Sequence, residues 1–312
     1  MKKLINPLLL LLAAALWGFA FSAQSESSAV PPLTLGAARS LIAGVFLTAL
    51  IPVLDRAMKT GRTLISRRGV DFNRHELIGG VICGIILALA SLFQQMGINA
   101  GTDSGKAAFI TAIYVVLVPI YALLLRKRAS LSVWIAVAIS VVGFYLLCIK
   151  ESLSILPSDL FCLVGSLIFP IHILTIDHFS PRCDGVRMSC IQFFSAGVFN
   201  TALALIFESP IAFPSLGEAI LPVLYLGIVS SGIAYTLQII GQRDVAPATA
   251  SIILSLESVF GVIAAAIFGG ADMTAREYAG CAIVFAAVIL SQVDPIELIK
   301  KHRAKKETAQ KG

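Results

Sequence analysis

Glu257 is the residue of this chain that most demands a chemical reading. It lies near the middle of an apolar run covering 246–268, and no other acidic residue falls so deep in such a run. Placing a charge at the centre of a bilayer costs about 2.5–3.5 kcal/mol on insertion scales. A carboxyl group at that depth has two functional uses: carrying a proton, or balancing the charge of a cationic solute. A structural use stands beside them, a protonated carboxyl hydrogen-bonded between helices. Ser251, Ser255, Ser258 and Gly261 surround it in sequence and suit either close helix packing or a cavity wall.

Other polar residues in apolar runs add to the list. Arg39 lies in the outer third of the run 32–54, where it pairs with a carboxylate or a substrate anion, or else snorkels to the interface. Lys106 lies near the end of its own run, where snorkelling is the expectation. Ser231, Tyr235, Gln238 and Gln242 follow i, i+4, i+7, i+11 spacing, one face of an α-helix. Trp17 and Tyr114 are expected near mid-depth, away from the interfaces that aromatic residues usually mark. His172 follows the helix-kinking Pro170; an imidazole exchanges protons near neutral pH in water, but a lone histidine is as readily a packing residue. The six cysteines lack paired metal-ligand spacing and are expected to pack as small apolar residues. No phosphate-binding loop, HExxH helix or nucleophile elbow is present, which argues against an ATP-driven pump or an enzyme and gives no reason to expect a metal or cofactor.

The elements that must position these residues follow from composition. Of 312 residues, 57% are hydrophobic and only 13% charged, against about 25% charged in soluble domains. So little polar material cannot coat a globule of this size in water, and lipid must be the main solvent. A spanning helix needs about 20 apolar residues. On that rule the chain divides into ten spans, near 7–24, 32–54, 76–98, 104–125, 131–149, 157–177, 187–207, 219–241, 246–268 and 277–293. The first resembles a signal peptide but ends in Trp17-Gly18-Phe19 rather than a small-residue cleavage site, so an uncleaved helix is expected.

Orientation comes from the basic residues. With both termini in the cytoplasm, 20 lysines and arginines fall inside and two, Lys150 and Arg276, outside. The net charge of +6 therefore reports topology in a bacterial-type inner membrane and contact with lipid headgroups, and is no nucleic-acid footprint.

The halves repeat weakly. A shift of 143 lays Gly84-Ile85 on Gly227-Ile228 and Gln95 on Gln238; a shift of 142 lays Ala108, Ile110, Ala122 and Ala129 on Ala250, Ile252, Ala264 and Ala271. The stripe of the eighth span thus has Ala88, Leu92, Gln95 and Asn99 as mates in the third; either Gln95 and Gln238 line opposite mouths of one pathway, or the stripes supply hydrogen bonds between helices. Five spans per repeat force the second half to enter the membrane upside down, the plan that permits alternating access around a mid-depth site. The domain reading is residues 1–150 for the first repeat, 151–293 for the second and 294–312 for a basic tail.

The stretch from Gly105 to Pro119, Ala246-Pro247-Ala248 with Ser255-Leu256-Glu257-Ser258-Val259-Phe260, and the Ala15-Leu16-Trp17-Gly18-Phe19 core resemble the fourth, ninth and first helices of EamA-type members of the drug/metabolite transporter superfamily. The resemblance implies ten helices in two inverted repeats, a cavity walled by helices one, three, four, six, eight and nine, and secondary transport of small metabolites or drugs, most naturally export, with protons as the coupling ion through Glu257. Its members handle amino acids, nucleobases, sugars and drugs. Two positions depart from the pattern: Ser258 replaces a proline, which predicts a straighter ninth helix, and Ala271 replaces a glutamate in an external turn. A channel, a membrane sensor and an intramembrane enzyme are the rival classes. Expected partners are the solute, the bilayer and protons; a homodimer stays open.

Overall fold

The computed structural model describes residues 2–57, 73–149, 156–208, 213–269 and 273–292. Most basic residues of the 55–75 loop and the tail 294–312 lie outside the described residues, as do Lys150 and Ala271. Every described element is helical. The chain runs through α1 (Lys2–Glu26), α2 (Pro32–Ala57), α3 (Arg74–Asn99), α4 (Ser104–Leu124), α5 (Leu131–Cys148), α6 (Pro157–Phe179), α7 (Gly185–Phe207), α8 (220–241), α9 (247–269) and α10 (Ala275–Gln292). Nine of these, α1 to α9, are long and apolar enough to cross a membrane. Arg276, Glu277 and the closing Ser291-Gln292 dilute the apolar character of α10. Large apolar side chains such as Leu8, Val45, Val142, Val198 and Ile289 point outward, which fits a bundle dissolved in lipid.

The helix ends are capped from within. Asp103 accepts from Gly105 and Lys106 N–H at the start of α4, Asp184 from Val186 and Arg187 N–H at α7, and Asn73 forms a reciprocal capping box with Glu76 at α3. Small residues set the crossings. A Cβ on Gly18 of α1 would lie 2.5 Å from the Phe260 Cβ of α9, so glycine alone lets these backbones meet there.

Helix α9 is the interior element: every residue from 250 to 259 is buried. It is also interrupted, despite the serine at 258. Pro247–Leu254 and Glu257–Gly269 are separate helical pieces, joined through Leu256 N–H to Ile253 C=O (3.1 Å) and Ser258 N–H to Ser255 C=O (3.2 Å). The hydroxyls of Ser251 and Ser255 donate to the carbonyls three residues back, at 2.8 and 2.7 Å. Such back-bonding bends helices, so serines do here what proline was expected to do. Helix α4 is broken likewise at Ile113, between Ser104–Ala112 and Tyr114–Leu124. In α8 the stretch Tyr225–Tyr235 is π-helical.

Candidate functional site

Both helix breaks open toward one cavity. Tyr114 begins the second piece of α4 and Glu257 the second piece of α9; the Tyr114 hydroxyl donates to Glu257 Oε1 at 3.2 Å. Glu257 is 7% exposed and so faces the bundle interior, not the acyl chains. A carboxyl group at the start of a helical segment sits at the favourable end of its dipole.

Trp17, Arg39, Tyr114, His172, Tyr235, Gln238 and Glu257 all line this cavity, with Gln24, Gln94, Thr111 and Ser230 among their neighbours. Its free volume is about 50 Å³, room for a few water molecules and far below the ~300–1,000 Å³ of a pocket holding a drug-sized ligand. Tyr235 is the aromatic hub: its ring centroid lies 4.5 Å from Trp17, 5.8 Å from His172 and 5.7 Å from Phe193. His172 Nε2 pairs with Gln192 Oε1 at 3.1 Å and is buried.

The π-helical stretch re-phases α8. Ser230 and Tyr235, five residues apart, both reach the cavity with Gln238, where an α-helix would have aligned Ser231 with Tyr235. The Trp17 indole N–H donates to the Ser230 carbonyl at 3.1 Å, satisfying a backbone group there. Arg39 does not snorkel outward. Its Nε donates to Ser231 Oγ (3.1 Å) and its Nη2 to Ser230 Oγ (3.2 Å), so the guanidinium turns inward onto the wide stretch of α8. Lys106 does not simply snorkel either; it ion-pairs with Asp159 of α6.

Gln95 does not line this cavity and bonds to a neighbouring helix instead. Its amide donates to Asn99 Oδ1 (2.7 Å) and Gln24 C=O (3.2 Å), on the face of α3 that meets the α1–α2 turn. The preceding residue, Gln94, is the one that lines the cavity: it accepts from Gln24 Nε2 at 3.1 Å and donates to Thr111 Oγ1 at 2.9 Å. Gln24, Gln94, Thr111 and Ser230 were not singled out from sequence; adjacent glutamines in an apolar run were a signal, but one without phase.

Two polar ties join helix starts to turns remote in sequence. At one end the Thr102 hydroxyl donates to Asp159 Oδ1 at 3.0 Å while Leu156 N–H (2.7 Å) and Lys106 reach Oδ2. At the other, Asn6 Nδ2 donates to Asp244 Oδ2 at 2.9 Å.

Comparison with known proteins gives concordant results. A protein of Archaeoglobus fulgidus described as an uncharacterized transporter is 27% identical over 294 residues, covering 93% of this chain and 86% of its own. A solved crystal structure superposes with a TM-score of 0.72 at 18% identity, over 92% of this chain and 96% of that one, a likeness of fold. The model of the EamA-like transporter family matches residues 4–149 and again 156–292. A multi-pass helical protein matched twice along nearly its whole length in this way belongs to the EamA-like transporter family.

Proposed function

We propose that the chain is a secondary active transporter that moves small metabolites or drugs outward across the inner membrane by alternating access, with Glu257 exchanging a proton during the cycle. The carrying observation is the mid-bundle cavity, where Glu257, Arg39 and the Trp17–Tyr235 pair converge from helices far apart in sequence. In this reading α10 is a tenth span, both termini are cytoplasmic, and residues 1–150 and 151–293 are inverted repeats.

Reciprocal contacts between the halves support that symmetry. Gly84 of α3 packs on Gln192 and Ser195 of α7, and its mate Gly227 of α8 packs on Ile42 and Arg39 of α2. Glu208, after α7, accepts from Leu33 and Thr34 N–H at the start of α2 (2.8 and 2.7 Å), while Glu76, after α2, accepts from Asp184 N–H at the start of α7 (2.9 Å). The Asn6–Asp244 and Asp159–Thr102 ties each join the start of the first helix in one half to the turn before the fourth helix of the other. Two such ties at opposite ends, broken in turn, would serve an alternating gate.

The test is solute flux in proteoliposomes, with cargo first identified by thermal stabilisation across a metabolite panel. Wild type should accumulate cargo against an imposed pH gradient, and Glu257→Gln should exchange cargo without responding to the gradient. Equal gradient-driven rates for the two would remove the proton role. Saturable counterflow would separate a carrier from a channel.

A further inference from the structure

The mid-bundle cavity has a neighbour. A cleft of about 240 Å³ lies toward the end of the bundle where α4 begins, with the exposed Asp103 in its wall. Three helices line both spaces. Along α4, Gly105 and Ala108 border the cleft, and Thr111 and Tyr114 the cavity. Along α9, Leu254 and Glu257 border the cavity, and Ser258 and Gly261 the cleft. Along α1, Ala20 borders the cavity and Ser22 the cleft, and Phe21 between them borders both. Among the described lining residues no other is shared. The cleft also holds an unmet polar group: the Ser258 hydroxyl, in a residue 1% exposed, has no hydrogen-bond partner. A buried polar group left unpaired is costly, so this one belongs beside water or a polar solute.

We propose that cavity and cleft are two compartments of one solute passage, and that the Phe21 side chain is the partition between them. The two spaces follow one another along α1, α4 and α9, and one aromatic residue is what they share. Their sizes make the partition matter. The cavity alone has room for a few water molecules. Joined through the place of Phe21, the two offer roughly 300 Å³, the low end for a drug-sized ligand. Phe21 is 6% exposed and packs with Ile98, Ala107, Ala108 and Cys162, most of them small. Alanines give a ring little to interlock with, and the cleft gives it somewhere to go. A turn of about 120° between staggered χ1 wells moves the ring from one place to the other. At the opposite end of the bundle, the space beside Asn6 and Asp244 shares no lining residue with the cavity, so Phe21 governs one side only. This assignment rests on the cavity being the transport site and adds the residue that divides the path leading from it.

The experiment measures thiol reactivity in the purified full chain, with its native cysteines replaced and one reporter introduced, using 2-aminoethyl methanethiosulfonate as the probe. Ser22→Cys reports on the cleft and Ala20→Cys on the cavity. Ala20→Cys should react on the order of 10- to 1,000-fold more slowly than Ser22→Cys, as for a partition open about 0.1–10% of the time. Phe21→Ala should erase most of that difference, and Phe21→Trp should widen it. Phe21→Leu keeps an apolar side chain, guards against misfolding of the alanine variant, and should give an intermediate rate. Equal reactivity of the two reporters with Phe21 in place would overturn the partition. So would an Ala20→Cys that stays slow in both Phe21→Ala and Phe21→Leu while Ser22→Cys still reacts. An unreactive Ser22→Cys would overturn the cleft as part of the passage. A shielded reporter that Phe21→Ala exposes, without cargo flux in liposomes, would instead sink the transport reading and leave the partition standing.

Discussion

Replacing Gly18 by alanine adds one methyl group where α1 crosses α9. The new Cβ would meet the Phe260 Cβ at 2.5 Å and the backbone of Phe260 and Gly261 at 2.7 Å. Non-bonded carbons settle at about 3.5–4.0 Å, so the two helices must part by on the order of 1 Å. Backbone cannot swing aside as a flexible side chain would. Overpacking of this kind costs about 1–3 kcal/mol, and the better helix propensity of alanine returns about 0.8–1.0 kcal/mol. The net loss expected is up to about 2 kcal/mol of stability. Function should suffer beyond that figure, because Trp17 adjoins Gly18 and Glu257 stands one turn before Gly261, so parting the crossing widens the cavity wall. The assays are the thermal unfolding midpoint of the purified protein and cargo flux in proteoliposomes. Gly217→Ala serves as the control: that residue is exposed, nothing lies within 4 Å of its added Cβ, and the change should be neutral or stabilising by up to about 1 kcal/mol. A Gly18→Ala protein with wild-type midpoint and flux would show that the crossing has slack, and the packing argument would be wrong.

Asp159→Asn should loosen the Thr102–Lys106–Asp159 tie, where hydrogen bonds to a charged group contribute about 1.5–3 kcal/mol each. Cys162, fully buried one turn away, should then react with a maleimide in a background lacking the other cysteines; unchanged labelling would refute the gating role. Gly101→Ala should destabilise by about 1–2 kcal/mol because Gly101 has φ of +100°, read as a lowered unfolding midpoint. Lys127→Ala removes the exposed partner of Asp177 and should cost less than about 1 kcal/mol; a larger drop in midpoint would mean that this pair holds α4 to α6 more firmly than an exposed pair can.

The helices were legible because a bilayer imposes length and apolarity on each one, and nine of the expected spans return as helices of that kind among the described residues. Glu257 was legible for the same reason: a carboxylate in hydrocarbon advertises itself. What the sequence hid was phase. Gln94 and Gln95 are neighbours, and only the tilt of α3 against α1 and α4 decides which one turns to the cavity. The stripe on α8 was drawn for 3.6 residues per turn, and the π-helical stretch brings Ser230 onto the cavity wall with Tyr235. Partners remote in sequence were hidden as well. Arg39 meets hydroxyls more than 190 residues away, and Lys106 meets Asp159 on a helix of the other half. No local pattern reports such pairings. The interruption of α9 was written in its serines, but in a form that also suits an ordinary packing helix.

A wide helical turn is a store of slack. Exchanging one i+5 bond for an i+4 bond at one end of such a stretch, and the reverse at the other, passes the slack along while the flanks stay put. Each residue traversed swings by about 100° around the axis. Ser230, Ser231 and Tyr235 ride on Tyr225–Tyr235, between the α-helical segments Ile220–Leu224 and Thr236–Gly241. Were that slack to migrate, rotation alone would loosen the grip on Arg39, without any helix sliding through the membrane.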